Sequence, residues 1–127
     1  MTSDVTERRL RRRAAQQRFD ELAVDYLDLP GVSRATMFGS DGLRVESKFF
    51  AFVGRDGQLI VKLPATQADG LVAAGEADRV RAGRATMREW IGMPSSVERP
   101  STDQWRNLIS DAYRYVASLT PSSTDTA

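Results

Sequence analysis

The sequence predicts an α+β fold: a two-layer sandwich with an antiparallel sheet, its elements in the order helix, four strands, helix, two strands, helix. Three observations predict it. Short runs alternating apolar and polar residues crowd into positions 33–63, separated by Gly- and Asp-containing turns. Stretches of helical apolar spacing flank that block on both sides, at 15–26 and 105–119. The chain has 127 residues, the size of one domain, enough to bury about two thirds of its unfolded surface without staples.

The first helix is expected from Asp4, an acceptable N-cap, to about Asp28. Ala15, Phe19, Leu22, Ala23 and Tyr26 fall within an arc of roughly 100°. Pro30-Gly31 ends it. Upstream, Arg8, Arg9, Arg11, Arg12, Arg13 and Arg18 spread around the axis, and Arg8 and Arg12 extend the line of the apolar face. A buried helix does not carry unpaired Arg there, so the first turns are expected to overhang the core or fray.

The first strand is expected over Ser33–Phe38, with a turn at Gly39-Ser40-Asp41-Gly42. Leu43–Glu46 alternates as a half-buried strand, and a tight turn near Ser47 leads to Phe49–Gly54. Asp56-Gly57 reads as a two-residue hairpin loop of the favoured primed type. That loop pairs Phe52 with Val61 and Phe50 with Leu63. It puts those four and Leu59 on a core face. The opposite face then carries Phe49, Ala51, Val53 and Ile60 beside Arg55, Gln58 and Lys62. Such a face is more apolar than solvent exposure favours, so a partner or another element is expected to cover it.

Pro64 suits the first position of a second helix through Ala68, Leu71 and Val72, which Gly75 stops. Two short strands follow, Asp78–Ala82 and Met87–Met93, ending at Pro94. Ser101-Thr-Asp-Gln104 reads as a capping box for a third helix with Trp105, Leu108, Ile109, Ala112, Val116 and Leu119 on one face. From Thr120 the chain is rich in Ser and Thr and is expected to be disordered. The divisions expected are a basic helical extension over 1–14, the α+β domain over 15–119 and a tail over 120–127.

Composition removes several chemistries. The chain has no Cys and no His, so it offers no disulfide, thiolate nucleophile, zinc-thiolate site or imidazole base. No Lys follows a Gly, as a Walker loop requires, and Gly39 and Gly42 lie between strands rather than before a helix. Ser40 in Phe38-Gly39-Ser40-Asp41-Gly42 has no His to activate it. The carboxylates Asp25, Asp28, Glu76 and Asp78 are most simply solvated. Acid–base work would need two of them held in different environments. No cofactor and no metal are expected. No apolar run approaches the ~20 residues that cross a bilayer, and no signal peptide is visible, so a cytoplasmic location is expected.

Two features point to binding. Residues 1–18 hold six Arg against Asp4 and Glu7, while the rest of the chain is mildly acidic, for a net charge of +1. Six Arg within positions 8–18 form a plausible footprint for phosphate backbones or acidic surfaces. Lys48-Phe-Phe-Ala-Phe-Val-Gly-Arg55 approaches the signature of an RNA-stacking strand, with Phe49 where that signature has Gly and Arg55 in place of its last aromatic. Stacking needs the aromatics on an open face, whereas a buried core strand is the simpler reading. Trp90 and Trp105, taken singly, are expected in the core.

Met37-Phe38-Gly39, the turn to Gly42-Leu43, Phe50-Ala51-Phe52 and Leu59-Ile60-Val61-Lys62 together resemble the N-terminal domain of the TfoX (Sxy) competence regulators. Gly83, Met87, Trp90 and Pro94 fit the same pattern, and the resemblance spans about residues 15–118. Gly39-Ser40 stands where that family usually has a Gly pair. The resemblance implies a small α+β sandwich similar to secretion-chaperone-like and YjbR-like folds, in a stand-alone version without the regulators' C-terminal domain. It carries over no catalytic residue. Met37, Phe38, Gly39 and Gly42 read as structural: a strand end, a core aromatic and a tight turn.

The leading expectation is a non-enzymatic regulatory or interaction module that binds a protein partner or a second copy of itself through Phe49, Val53, Ile60 and Lys62. The alternative is nucleic-acid binding through Arg8, Arg9, Arg11, Arg12, Arg13 and Arg18. A carboxylate-based enzyme is a remote third.

Overall fold

Strands that alternate apolar and polar residues must hide one face of their sheet. The computed structural model, which describes residues 2–37, 40–54, 57–82, 85–93 and 102–119, does this beneath three helices. The elements are α1 (Thr2–Ala23), β1 (Val32–Met37), β2 (Ser40–Val45), β3 (Lys48–Val53), β4 (Leu59–Lys62), α2 (Ala65–Ala73), β5 (Asp78–Ala82), β6 (Ala85–Met93) and α3 (Thr102–Leu119). They follow the predicted order. All six strands form one antiparallel sheet in the order β1-β2-β3-β4-β6-β5.

One core cluster joins the helices to the sheet. Phe19 of α1, Ala68 of α2 and Trp105, Ile109 and Val116 of α3 pack with Leu43, Val53, Leu59, Val61 and Ile91. The three helices therefore cover the same sheet face, and among the described residues no helix covers the other. At the far end of α1, Tyr26 meets the rings of Phe50 and Tyr113 at 6.2 and 6.0 Å.

Helix α1 ends at Ala23, short of the expected Asp28. Beyond it the N–H groups of Asp25, Tyr26 and Leu29 bond three residues back, to Leu22, Ala23 and Tyr26, so the chain tightens into turns before Gly31. Strand β2 starts at Ser40, inside the expected turn, because Met37 pairs with Ser40 across a two-residue loop. That loop, Phe38-Gly39, lies outside the described residues, as do Arg55, Gly83, Pro94, Ser101 and the tail.

The β3–β4 hairpin corrects the expected register by one residue. Ala51 pairs with Val61, Phe52 with Ile60 and Val53 with Leu59. The loop is one residue longer than the two-residue reading. Gly54 and Gln58 close it through the Gly54 N–H to the Gln58 carbonyl at 2.8 Å, and Gly57 takes a φ of +87°. A second irregularity then restores part of the expectation. Leu43 pairs with Ala51 and the next residue, Arg44, with Phe49, so Phe50 bulges out of the β2–β3 ladder. Phe50 and Ala51 consequently both face the core.

Val53, expected on the second face, is therefore buried in the core at 1% exposure, and Ala51 joins it. Phe52, expected in the core, lies on the helix-free face with Ile60. Phe50, Leu59, Val61 and Leu63 are core residues and Phe49, Ile60 and Lys62 face away, as predicted.

Candidate functional site

The helix-free face is built around one cross-strand row: Ala35, Gly42, Phe52, Ile60, Gly92 and Asp78 are successive partners from β1 to β5. Its large side chains lie over its glycines. A Cβ on Gly42 would stand 2.6 Å from the Phe52 Cβ and 2.8 Å from the Ala51 carbonyl oxygen. A Cβ on Gly54 would stand 2.7 Å from the Ile60 Cδ1. This packing leaves Phe52 6% and Ile60 9% exposed although no helix covers them.

Beside this row the face is aromatic and cationic. The Phe49 ring meets Phe52 edge-on at 6.4 Å, and Phe52 meets Trp90 at 5.7 Å. Phe49 and Trp90 stay half-buried. The Arg44 guanidinium lies 5.9 Å from the Phe49 ring centroid, within cation–π reach, and its Nε points at Ser33 Oγ at 3.4 Å. Lys62 pairs with Trp90 across the ladder, its Nζ 3.8 Å from Glu89 Oε1. Glu89 is held from the helical side by the Tyr115 hydroxyl, which donates to Oε2 at 2.7 Å. That bond to Glu89, aided by burial, raises the Tyr115 pKa above the ordinary tyrosine value.

Trp90 faces away from the core by alternation with buried Ile91, and β6 is irregular only in its pairing to β5. Arg79 pairs with Ile91 but Val80 pairs with Met87, so Arg88, Glu89 and Trp90 have no partner on β5. The Arg79 guanidinium bonds the Arg88 carbonyl at 2.8 Å, and Asp69 on α2 accepts from both Arg79 and Arg88. Trp105, by contrast, is a core residue, as predicted.

The basic segment divides into two parts. Residues 6–10 of α1 are all exposed, as the overhang predicted, and Arg8, Arg9 and Arg13 are exposed. Arg11 and Arg12 are half-buried where the hairpin tip abuts the helix. A Cβ on Gly57 would stand 3.0 Å from the Arg11 carbonyl oxygen. Arg18 belongs to the body of the domain, its guanidinium 5.4 Å from the Trp105 ring centroid. The helix thus leaves the sandwich at the closed end of the β3–β4 hairpin; Arg8 and Arg9 lie beyond that end, and Arg13 is exposed just inside it.

Of the signature residues, Met37 closes the β1–β2 pairing and Gly42 makes room for Phe52, while Phe38 and Gly39 lie outside the described residues. Asp25, Asp28, Glu76 and Asp78 are each exposed. Among the described residues no group of three or more acids forms a metal-binding cluster, and no helix is long and apolar enough to cross a membrane.

The order of elements and the one-sided sheet agree with a known family: the YjbR family model matches residues 27–115. The chain belongs to the YjbR family. The match begins after α1, so the Arg-bearing helix of this YjbR chain is an addition to the matched region. A comparison with curated proteins finds no match.

Proposed function

We propose that this YjbR-family protein is a non-enzymatic nucleic-acid-binding protein of the cytoplasm. The observation that carries the reading is the exposed set Arg8, Arg9 and Arg13 on a helix that projects past the hairpin end of the sheet. Cations outside the packed domain lose little by meeting phosphates and gain by releasing condensed counterions. The resemblance to TfoX regulators supports placing such binding in regulation.

The apolar face supports a protein partner or self-association less well than the sequence suggested. Val53 has turned inward, and Phe52 and Ile60 are nearly covered. Phe49 and Trp90 remain half-buried, and an aromatic side chain presents roughly 150–250 Å² in all. Their exposed parts offer apolar surface on the order of 100 Å², against the ~800 Å² per partner of a standard protein interface.

Fluorescence anisotropy with labelled 20-nucleotide DNA and RNA, from 25 to 200 mM salt, tests the reading. Binding is expected at low salt and falls steeply as salt rises. Replacing Arg8, Arg9 and Arg13 together by Gln lowers the slope of log affinity against log salt by about 0.7–0.9 for each phosphate that is no longer neutralised. Absence of binding at 25 mM salt overturns the proposal. If light scattering then shows a dimer that Phe49→Glu dissolves, self-association through the sheet face takes its place.

A further inference from the structure

The nucleic-acid reading leaves open whether the ligand is a duplex or a single strand, and the helix-free face bears on that choice. In a regular strand Phe49 and Phe52 would point to opposite faces, because side chains alternate. The bulge at Phe50 puts both on the same face, and the regular β4–β6 ladder, in which Trp90 alternates with core Ile91, sets Trp90 on the other side of Phe52. One departure from ladder geometry thus joins Phe49 to Phe52 and Trp90 in one strip. Bulges commonly serve to re-aim side chains at working surfaces.

The chemistry of the strip is specific. Phe52 is its floor, held over Gly42, while Phe49 and Trp90 keep accessible ring surface on either side. Arg44 and Lys62 stand next to those two rings. On this face the acid of the central row is Asp78, at the distant β5 edge, while Glu89, held by Tyr115 from the helical side, pairs with Lys62 at 3.8 Å. Aromatic rings interleaved with cations match unpaired bases joined by phosphates: each base offers a π-face and each linkage a negative charge. A duplex hides its base faces and could meet only the cations. Lys48-Phe-Phe-Ala-Phe-Val, read as a buried strand from sequence, accordingly turns two of its aromatics to the helix-free face, buried Phe52 beneath and half-buried Phe49 with ring surface open to stacking.

We infer that the helix-free face binds single-stranded nucleic acid, stacking bases on Phe49 and Trp90 with phosphates at Arg44 and Lys62. This rests on the nucleic-acid reading above and assigns it a strand form and a second surface.

The test titrates the full chain with a single-stranded 12-nucleotide thymidine or uridine homopolymer, and with a duplex of the same length, following tryptophan fluorescence and anisotropy. Single strands are expected to quench emission and to bind more tightly than the duplex. Trp90→Phe removes the quenching, since Trp105 is buried, yet keeps most of the affinity. Phe49→Ala and Trp90→Ala each weaken single-strand binding about 5- to 150-fold, the range for losing one stacked base, and leave duplex binding unchanged. Circular dichroism and thermal melts confirm that the variants fold; Phe49→Leu, which keeps the apolar bulk, serves if Phe49→Ala does not. Single strand and duplex bound equally, with Phe49 and Trp90 variants unaffected and the Arg8/Arg9/Arg13 variant weakened, sinks this inference while the nucleic-acid reading stands. No binding of any oligonucleotide at low salt removes both.

Discussion

At the scale of the residue, backbone conformation shows where this chain is held against local preference. Glu46 and Ser47 form the β2–β3 turn with φ of 51° and 72°, the left-handed conformation that a primed hairpin turn demands at both central positions. Neither is Gly or Asn. The left-handed region costs a side-chain-bearing residue about 1–2 kcal/mol. Replacing it by Gly forfeits about 0.5–1 kcal/mol of chain entropy. The relief exceeds the loss, so Ser47→Gly is expected to stabilise the protein by up to about 1 kcal/mol, read as a higher urea midpoint at unchanged m-value. A second residue ties stability to pH. Hydrogen bonds from Arg79 and Arg88 hold the Asp69 carboxylate below the usual carboxylate pKa. A group whose pKa is lowered on folding stabilises the protein above its unfolded-state value, about 3.9, and loses that contribution as pH falls through the folded-state value. Asp69→Asn is thus expected to lower the urea midpoint at pH 7, and the gap from the parent protein should narrow as pH falls below about 4 and the carboxylate takes up its proton. A gap that does not narrow on acidification would show that packing, not charge, is what Asp69 supplies.

At the scale of the element, legibility followed periodicity. The order of helices and strands and the facing of β4 were readable because apolar spacing is set by burial on one side. Strand β3 was not readable in the same way. Asp56-Gly57 fits a two-residue loop, yet the hairpin closes at Gly54 and Gln58, and the slip carries Ala51, Phe52 and Val53 to the faces opposite those expected. The bulge at Phe50 then cancels the slip for Phe49 and Phe50. Neither step has a signature in Lys48-Phe-Phe-Ala-Phe-Val, because apolar residues fill both faces and alternation carries no information there. One signal did exist. Gly42, Gly54 and Gly92 sit on strands or their ends, and a Gly within a strand marks a bulge or a close approach by a neighbour. Gly42 opposite Phe52 and Gly54 beside Ile60 are close approaches of that kind. Trp90 was missed as a surface aromatic for a related reason: Trp90, Ile91 and Met93 are all apolar, so composition does not say which of them faces the core, and only the register with β4 does.

At the scale of the whole molecule, the contact between α1 and the hairpin tip sets where the folded body begins. The sequence placed that boundary at residue 14, where apolar periodicity starts. The structure argues for a boundary several residues earlier. Residues 6–10 are exposed, whereas Gly57 presses on the helix backbone at Arg11 and Ala15 is only 4% exposed. Removing residues 1–9 should therefore leave the melting temperature within about 2 °C, since it takes no described buried side chain and exposed-surface changes are worth within about 0.5 kcal/mol. Removing residues 1–16 takes Ala15 and the helix backbone against which Gly57 packs. It frees the hairpin tip and opens the core beside Phe19, a loss of about 2–4 kcal/mol by comparison with other core truncations. In a domain of this size that corresponds to a fall in melting temperature of roughly 8–20 °C. The same pair of truncations separates stability from binding. The shorter deletion removes Arg8 and Arg9 and so should weaken oligonucleotide binding at low salt while the fold stands unchanged. If both deletions melt like the parent protein, the hairpin tip does not depend on α1 and the folded body begins after residue 16, later than the sequence placed it.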